Sequence, residues 1–498
     1  MIRRLLIANR GEIALRIIRA CRELGIETVA VYSDADAQAP FVRDADNAVR
    51  IGPAAARESY LNVDAILEAA RTAGADAVHP GYGFLSERAP FARACETAGL
   101  IFVGPPASAL EKMGSKTGAR RLMQAAQVPV VPGEIPRDQT EASFQEAIAR
   151  TGLPALLKPA AGGGGIGMKV VRSTNEIAAA LAAAKREAKA SFGDDSIYVE
   201  RLIEQPRHVE IQVFADAHGH TVHLFERECS AQRRHQKVIE ESPCPALSPK
   251  VRAQMGAAAV AAAEAVGYRN AGTCEFLLEG TGDNAKFYFL EMNTRLQVEH
   301  PVTECVVGVD LVHAQLRVAS GEPLPFSAEA LQQRGHAIEC RIYAEDPSQG
   351  FIPQAGPLLV YEEPQGPGIR VDSGVARGSY VSVHYDPMLA KLIVHGENRE
   401  TARRRAISAL RAYAILGIRT NIPFLIGILE HPAFVSASLD TRFLDRESAA
   451  IAAAIPTDVP PEVLAAAEAF RATNPGTLGT PGTVEPPDPF TALRGWRG

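Results

Sequence analysis

Between Leu5 and Val103 one pattern recurs: a short, largely apolar run, then a stretch whose apolar residues return at helical spacing. Leu5, Leu6, Ile7 and Ala8 open the series, and Ile13, Ile17, Ile18, Cys21 and Leu24 follow before Gly25. That spacing predicts a helix with one buried face, closed by the glycine. Apolar runs at 28–32, 48–51, 77–78 and 101–103 continue the pattern. A strand that is apolar on both sides needs cover on both sides. This region is therefore predicted to be an α/β unit, a parallel sheet with helices on each face.

The pattern then changes. Strands are predicted at 154–158 and 168–171, a helix at 175–190, and strands at 197–199, 209–214, 221–225, 274–278 and 287–292. An alanine-rich helix at 257–265 lies among them, so this is an α+β region with antiparallel pairing. Beyond 335 the chain returns to strands at 337–342, 358–361, 369–371 and 389–394, with helices at 399–413 and 422–429. A chain of 498 residues exceeds one hydrophobic core. We divide it at 1–114, 115–334 and 335–446, with a C-terminal extension at 447–498. From Asn474 the extension is rich in Gly, Pro and Thr and reads as loose. There is no internal repeat.

Composition narrows the function classes. The chain is 46% apolar and 22% charged, the balance of a soluble globular protein, and its net charge is −6. No basic field exists to hold a nucleic-acid backbone or an anionic membrane. The seven cysteines are widely spaced, with no Cys-x-x-Cys pair. That argues against a disulfide framework or a structural zinc and for a reducing compartment. Residues 1–10 form a basic-apolar strand without a signal core, so a cytoplasmic location is expected.

Four glycines, Gly162, Gly163, Gly164 and Gly165, then Ile166 and Gly167, lie between two predicted strands. Such a backbone bends tightly, and its amides can cradle phosphate oxygens. It is neither a Walker loop nor a dinucleotide fingerprint. Lys158 precedes the loop, and Lys116 follows Met113, Gly114 and Ser115. Either lysine could be a surface charge, but beside such a loop an ammonium neutralises phosphate.

Glu291, Asn293, Arg295, Gln297 and Glu299 are all polar and spaced by two. If the segment is extended, all five project from one face. An acid and an amide oxygen ligate a hard cation, and a guanidinium grips a small oxyanion. Glu275 could add a second metal carboxylate across a hairpin. The run 229–237, with Gln232, Arg233, Arg234, His235 and Lys237, reads either as an exposed charged loop or as one delivering cations to an anion. His79 to Glu87 is a glycine-punctuated loop after an apolar strand, a position ligands favour. Arg341 alternates within a strand.

These residues resemble one family, biotin carboxylase of the ATP-grasp fold, over roughly residues 1–446. The motifs at 7–14 (Ile-Ala-Asn-Arg-Gly-Glu-Ile-Ala), 79–87, 207–212 (Arg-His-Val-Glu-Ile-Gln), 232–237 (Gln-Arg-Arg-His-Gln-Lys), 291–304 and 339–341 (Glu-Cys-Arg) occur in the family's order. The resemblance implies an ATP-grasp central domain with a mobile glycine-rich lid at about 131–203, and a mainly β C-terminal domain with helices. It implies ATP contacts from Lys116, Lys158, Gly163, Gly164, Gly165, Met168, Glu200, Arg201, Ile203, His208, Gln232, His235 and Glu275. Glu275, Glu291 and Asn293 would hold magnesium or manganese. Lys237, Arg295, Gln297, Val298 and Glu299 would bind bicarbonate, with Glu299 taking its proton to form carboxyphosphate. Arg341 would stabilise the biotin enolate, with Tyr82 near biotin.

Two positions depart from the family pattern: Ile166 stands where a basic residue is usual, and Pro159 where a small one is. The biotin-bearing Ala-Met-Lys-Met is absent, and the sole Met-Lys is Met168-Lys169. The resemblance therefore implies a separate biotin carboxyl carrier protein, carboxyltransferase subunits and a homodimer. Trp496 lies in a stretch similar to one in fused acyl-CoA carboxylases. Another ATP-grasp carboxylate ligase would share the lid, lysines and metal acids but would not need Lys237, Glu299 and Arg341 together. A non-catalytic nucleotide-binding regulator would be expected to have lost one of these groups.

Overall fold

Five strands of a computed structural model, β1 (Arg4–Ile7), β2 (Glu27–Ser33), β3 (Asn47–Gly52), β4 (Ala77–His79) and β5 (Ile101–Phe102), form one sheet in the order β3-β2-β1-β4-β5. Every pairing is parallel, as the largely apolar runs predict. The helix Gly11–Leu24 buries Ile13, Ile17 and Ile18 and stops at Gly25, whose φ of 69° is left-handed. The structure describes residues 1–161, 165–234, 236–456, 461, 464–465 and 468–469. The expected loose tail, Trp496 included, lies outside the described residues. The chain divides into two units, Met1–Ala452 and Ala453–Gly498. All that follows concerns the first.

The strands on either side of the glycine-rich segment belong to a four-stranded antiparallel sheet. It contains β6 (Gly133–Glu134), β7 (Ala155–Pro159), β8 (Lys169–Val171) and β9 (Ile197–Arg201), in the order β6-β9-β7-β8. Helices Glu141–Thr151 and Ile177–Phe192 complete its core, with Phe144, Leu157, Leu181 and Val199 buried together. Gly167 has φ +77°, and a Cβ there would lie 3.0 Å from Pro159 Cγ, so the proline closes over a position only glycine can occupy. Ile166 is half exposed.

The central scaffold is an eight-stranded sheet. Its members include β10 (Arg207–Ala215), β11 (Thr221–Arg233), β12 (Gln236–Ser242), β13 (Asn270–Glu279), β14 (Lys286–Asn293) and β15 (His336–Tyr343). The order is β14-β13-β10-β11-β12-β15, continued by the strands Met388–Gly396 and Ile369–Ser373. Strands from beyond residue 335 thus extend the central sheet. Helix Pro249–Val266 covers one region, packing Met255 and Ala259 with Val209, Ile211 and Phe276. Arg16 on the first helix is buried and bonds Glu304 at 2.8 Å and Asp310 at 2.7 Å, tying the N-terminal unit to this scaffold.

One open reading is decided and one expectation corrected here. The run 229–237 is not a loop for most of its length: it forms the end of β11 and the start of β12, with Ser230 and Gln232 buried and Arg234 and Gln236 exposed. The polar stripe 291–299 is extended only to Asn293. Glu87 accepts the Thr294 amide at 3.0 Å, and Pro301, which has no N–H to offer a ladder, starts the helix His300–Val307. Arg295, Gln297 and Glu299 therefore leave the strand's face and converge from a turn.

Candidate active site

Strand pairing places the first group of functional side chains. Leu156 on β7 is the register partner of Glu200 on β9, and two residues on Lys158 donates from Nζ to Glu200 Oε2 at 2.9 Å. Arg120 donates to the other Glu200 oxygen at 2.9 Å. These residues border a cleft of about 610 Å³ between the four-stranded and eight-stranded sheets. Lys116, Lys158, Gly165, Met168, Glu200, Arg201, Ile203, His208, Gln232, Glu275 and Glu291 all line it. Gly163, Gly164 and His235 lie outside the described residues. Burial presses the Lys116 ammonium down, and nearby Glu291 counters that. Lys158→Ala and Lys116→Ala should each weaken ATP binding roughly ten- to a hundredfold, the range of one lost charge-assisted contact, as titration calorimetry would show. Unchanged affinity in both variants would remove the lysines from the phosphate site.

Across the big sheet an acidic row forms by register alone. Glu291 on β14 stands opposite Glu275 on β13, Glu275 opposite Glu210 on β10, and Glu210 opposite Arg227 on β11. Like charges directly opposite are destabilising, so cations are required. Arg227, fully buried, donates to Glu210 at 2.5 Å and to Gln212, Thr303 and Thr273. Lys237 donates to Glu210 at 2.5 Å, to Glu275 at 2.8 Å and to Glu299 at 2.6 Å. Burial works against the charge on Glu275, but Lys237 and His208 outweigh it and hold the carboxyl low.

Glu291 is different. Among the described residues its carboxylate has no hydrogen bond or ion pair, and burial and then Glu275 push it up. Asn293 donates its amide N–H to Glu275 at 2.8 Å and its amide oxygen accepts from Arg295 at 3.2 Å, while Glu291 stands opposite Glu275 in register. Two neighbouring carboxylates, one of them uncompensated, fit a hard divalent cation, which Asn293 would join with its amide turned.

The second half of the site surrounds Glu299, which is fully buried. Its Oε1 accepts from Lys237 at 2.6 Å and its Oε2 from Arg341 at 3.0 Å. Burial opposes its charge, but Lys237 and Arg341 hold the carboxyl well below the usual range. Arg341 also donates to Glu240 Oε1 at 2.6 Å. Arg295 donates to Gln297 at 2.9 Å and Asn293 at 3.2 Å, and Lys391 donates to the Val298 carbonyl at 2.7 Å. Tyr82, Arg295, Val298 and Arg341 line a second cavity of about 530 Å³. Glu275 borders the first cavity and Arg341 the second, and the bonded pair Lys237–Glu299 connects them.

Comparison with known proteins gives three consecutive family matches. These are the biotin carboxylase N-terminal domain over residues 1–110, the carbamoyl-phosphate synthase L chain ATP-binding domain over 115–327, and the biotin carboxylase C-terminal domain over 339–446. A Bacillus subtilis protein named biotin carboxylase 1 is 51% identical over 448 residues, covering 89% of this chain and 98% of its own. The chain belongs to the biotin carboxylase family. The family also includes the methylcrotonoyl-CoA carboxylase α subunit of Glycine max, 52% identical, of which the chain spans 60%. Among solved structures, the Campylobacter jejuni biotin carboxylase–β,γ-ATP complex aligns with TM-score 0.86 and 44% identity over 90% of this chain and 99% of that one. The biotin carboxylase domain of Hydrogenobacter thermophilus 2-oxoglutarate carboxylase, in complex with MgADP, ADP and bicarbonate, gives 0.85 at 44% identity over 91% and 99%.

Several residues of this biotin carboxylase family site escape sequence reasoning. Thr441, Arg442 and Asp445 reach the first cavity from far along the chain, and no sequence signal marks them. Glu210 and Arg227 carry a faint signal, the alternation of His208, Glu210 and Gln212 along a strand. Glu12 and Lys391 belong to predicted elements but meet only in space, 3.2 Å apart.

Proposed function

We propose that the chain catalyses the ATP-dependent carboxylation of carrier-bound biotin with bicarbonate. The observation that carries this reading is the chain of contacts Glu275–Lys237–Glu299–Arg341, which joins a phosphate-suited cleft to a second cavity through one buried, ionised carboxylate.

ATP would occupy the first cavity, its phosphates met by Lys116, Lys158 and the glycine-rich backbone. Glu275, Glu291 and Asn293 would hold magnesium or manganese, which when bound neutralises charge developing on the phosphates. Bicarbonate would sit against Lys237, Arg295, Gln297 and the Val298 backbone. Glu299 takes its proton, and the freed oxygen attacks the γ-phosphorus, releasing ADP and forming carboxyphosphate. Phosphoryl transfer is promoted mainly by positioning and by cations placed on developing charge, and Lys237 and Arg295 supply both. Carboxyphosphate breaks to CO₂ and phosphate, and the phosphate takes the ureido proton of biotin. Arg341, facing the second cavity near Tyr82, stabilises the enolate that attacks CO₂.

The partners that fit are a biotinylated carrier and a carboxyltransferase, with a second copy forming a homodimer. The final acceptor would be an acyl-CoA, a reading supported by the methylcrotonoyl-CoA carboxylase relatives. All seven cysteines are free, which suits a reducing compartment such as the cytoplasm. Among the described residues no helix is long and apolar enough to cross a membrane.

Phosphate release from ATP should require both bicarbonate and a divalent metal and should rise with free biotin. A coupled phosphate assay with each component omitted in turn tests this. Equal rates without bicarbonate would exclude the reaction.

A further inference from the structure

Among the described residues, three buried oxygens beside the site have no hydrogen-bond partner: Glu240 Oε2 and both carboxyl oxygens of Glu339. Both residues are fully buried. They are direct register partners on the adjacent strands β12 and β15, so their side chains leave the same face of the sheet a few ångströms apart. Arg341 lies two residues beyond Glu339, on that same face. Two ionised carboxylates buried opposite each other are costly, and a single guanidinium on one of them does not relieve the other.

The surrounding charges show where the relief lies. Glu240 is bonded through its other oxygen to Arg341 at 2.6 Å. The charged and titratable groups facing Glu339 are Glu240 from β12, Arg341 on its own strand, Lys391 from the next strand, and Glu299 and Cys305 from the neighbouring helix and its cap. Lys391 is committed elsewhere, to the Val298 carbonyl at 2.7 Å and Glu12 at 3.2 Å. Glu339 is left with an acid opposite it and no cation of its own.

We propose that Glu339 is a neutral carboxylic acid that donates a hydrogen bond to Glu240, and that this pair positions Arg341. Burial, the largest effect, pushes the Glu339 carboxyl well up; Lys391 draws it down more than Glu240 raises it, but does not offset the burial, in agreement with the geometry. A carboxylate held on one side by Glu339 and on the other by Arg341 cannot swing away. The guanidinium is thereby kept between Glu240 and Glu299, aimed at the second cavity. The proposal rests on Arg341 acting on the biotin enolate.

The test uses the full chain with ATP, bicarbonate, magnesium and free biotin. Infrared difference spectra of Glu339→Gln against the unmodified protein should show the loss of one protonated-carboxyl stretch. Glutamine keeps a neutral donor, so the ratio of carboxybiotin to phosphate should stay near its unmodified value in Glu339→Gln. In Glu339→Leu it should fall roughly tenfold, as expected for one lost hydrogen bond to a charged group. A purely structural role would not change that ratio. Leucine matches the site's neutrality, and should it fail to fold, the infrared arm still decides. Loss of a carboxylate stretch instead, or an equal fall in ratio for Gln and Leu, would overturn the proposal. Failure of the unmodified protein to couple bicarbonate to phosphate release would reject the biotin carboxylase reading, while the infrared result would still report on the Glu240–Glu339 proton.

Discussion

Glu299→Gln is expected to abolish bicarbonate-dependent ATP cleavage. The loss should be about 10²- to 10⁴-fold, the size of a general-base contribution. The side chain keeps its shape but can no longer accept a proton. Lys237 keeps Glu210 and Glu275 as partners, and Arg341 keeps Glu240, so neither buried cation is stranded and the fold should persist. The Glu299 carboxyl is held well below its usual range by Lys237 and Arg341, which outweigh the effect of burial. It is therefore ionised across neutral pH, and an acid limb in the rate profile near neutrality should arise from another group and survive conservative changes around Glu299. Phosphate release measured against bicarbonate concentration gives the result directly. Retention of more than a tenth of the activity would remove Glu299 from the role of base.

Arg341→Ala should fail differently. In the proposed reaction bicarbonate deprotonation and phosphoryl transfer would take place on the Lys237 side of Glu299, so ATP cleavage should remain within about tenfold of the unmodified protein. Carboxybiotin should fall at least about a hundredfold, since the charge that develops on the biotin oxygen loses its cation. Removing the guanidinium leaves Glu240 without its bonded partner. Burial already outweighs Arg341 and holds the Glu240 carboxyl up at about 7; without the guanidinium, Glu240 should take up a proton rather than remain a buried charge. Phosphate and carboxybiotin are quantified in one reaction. If both products drop in equal proportion, Arg341 and Glu299 do not act in successive steps.

The legible parts of this protein were those governed by local rules. Apolar runs between amphipathic stretches specify a parallel sheet because each strand needs cover on both faces, and β1 to β5 form one. The glycine run lies between two short strands, where its flanking apolar residues put it. The stripe Glu291, Asn293, Arg295, Gln297 and Glu299 was recognisable by residue type and spacing, while Lys237 and Arg341 were given their roles only through the family resemblance. What was not legible is how they meet. The run 229–237 could be read as a charged loop because the partners of Lys237, namely Glu210, Glu275 and Glu299, come from other strands and a helix cap. The stripe 291–299 seems to be one strand because alternation says nothing about where a ladder ends. Glu240 and Lys391 carry no local mark, and Glu339, though part of the 339–341 motif, shows none of its pairing with Glu240 along the chain. By itself the sequence determined the elements, the chemistry of the donor groups and the family. Only the tertiary structure decided register and proximity, because a buried charge is tolerated solely where distant strands bring it a partner, and that condition is written in space rather than along the chain.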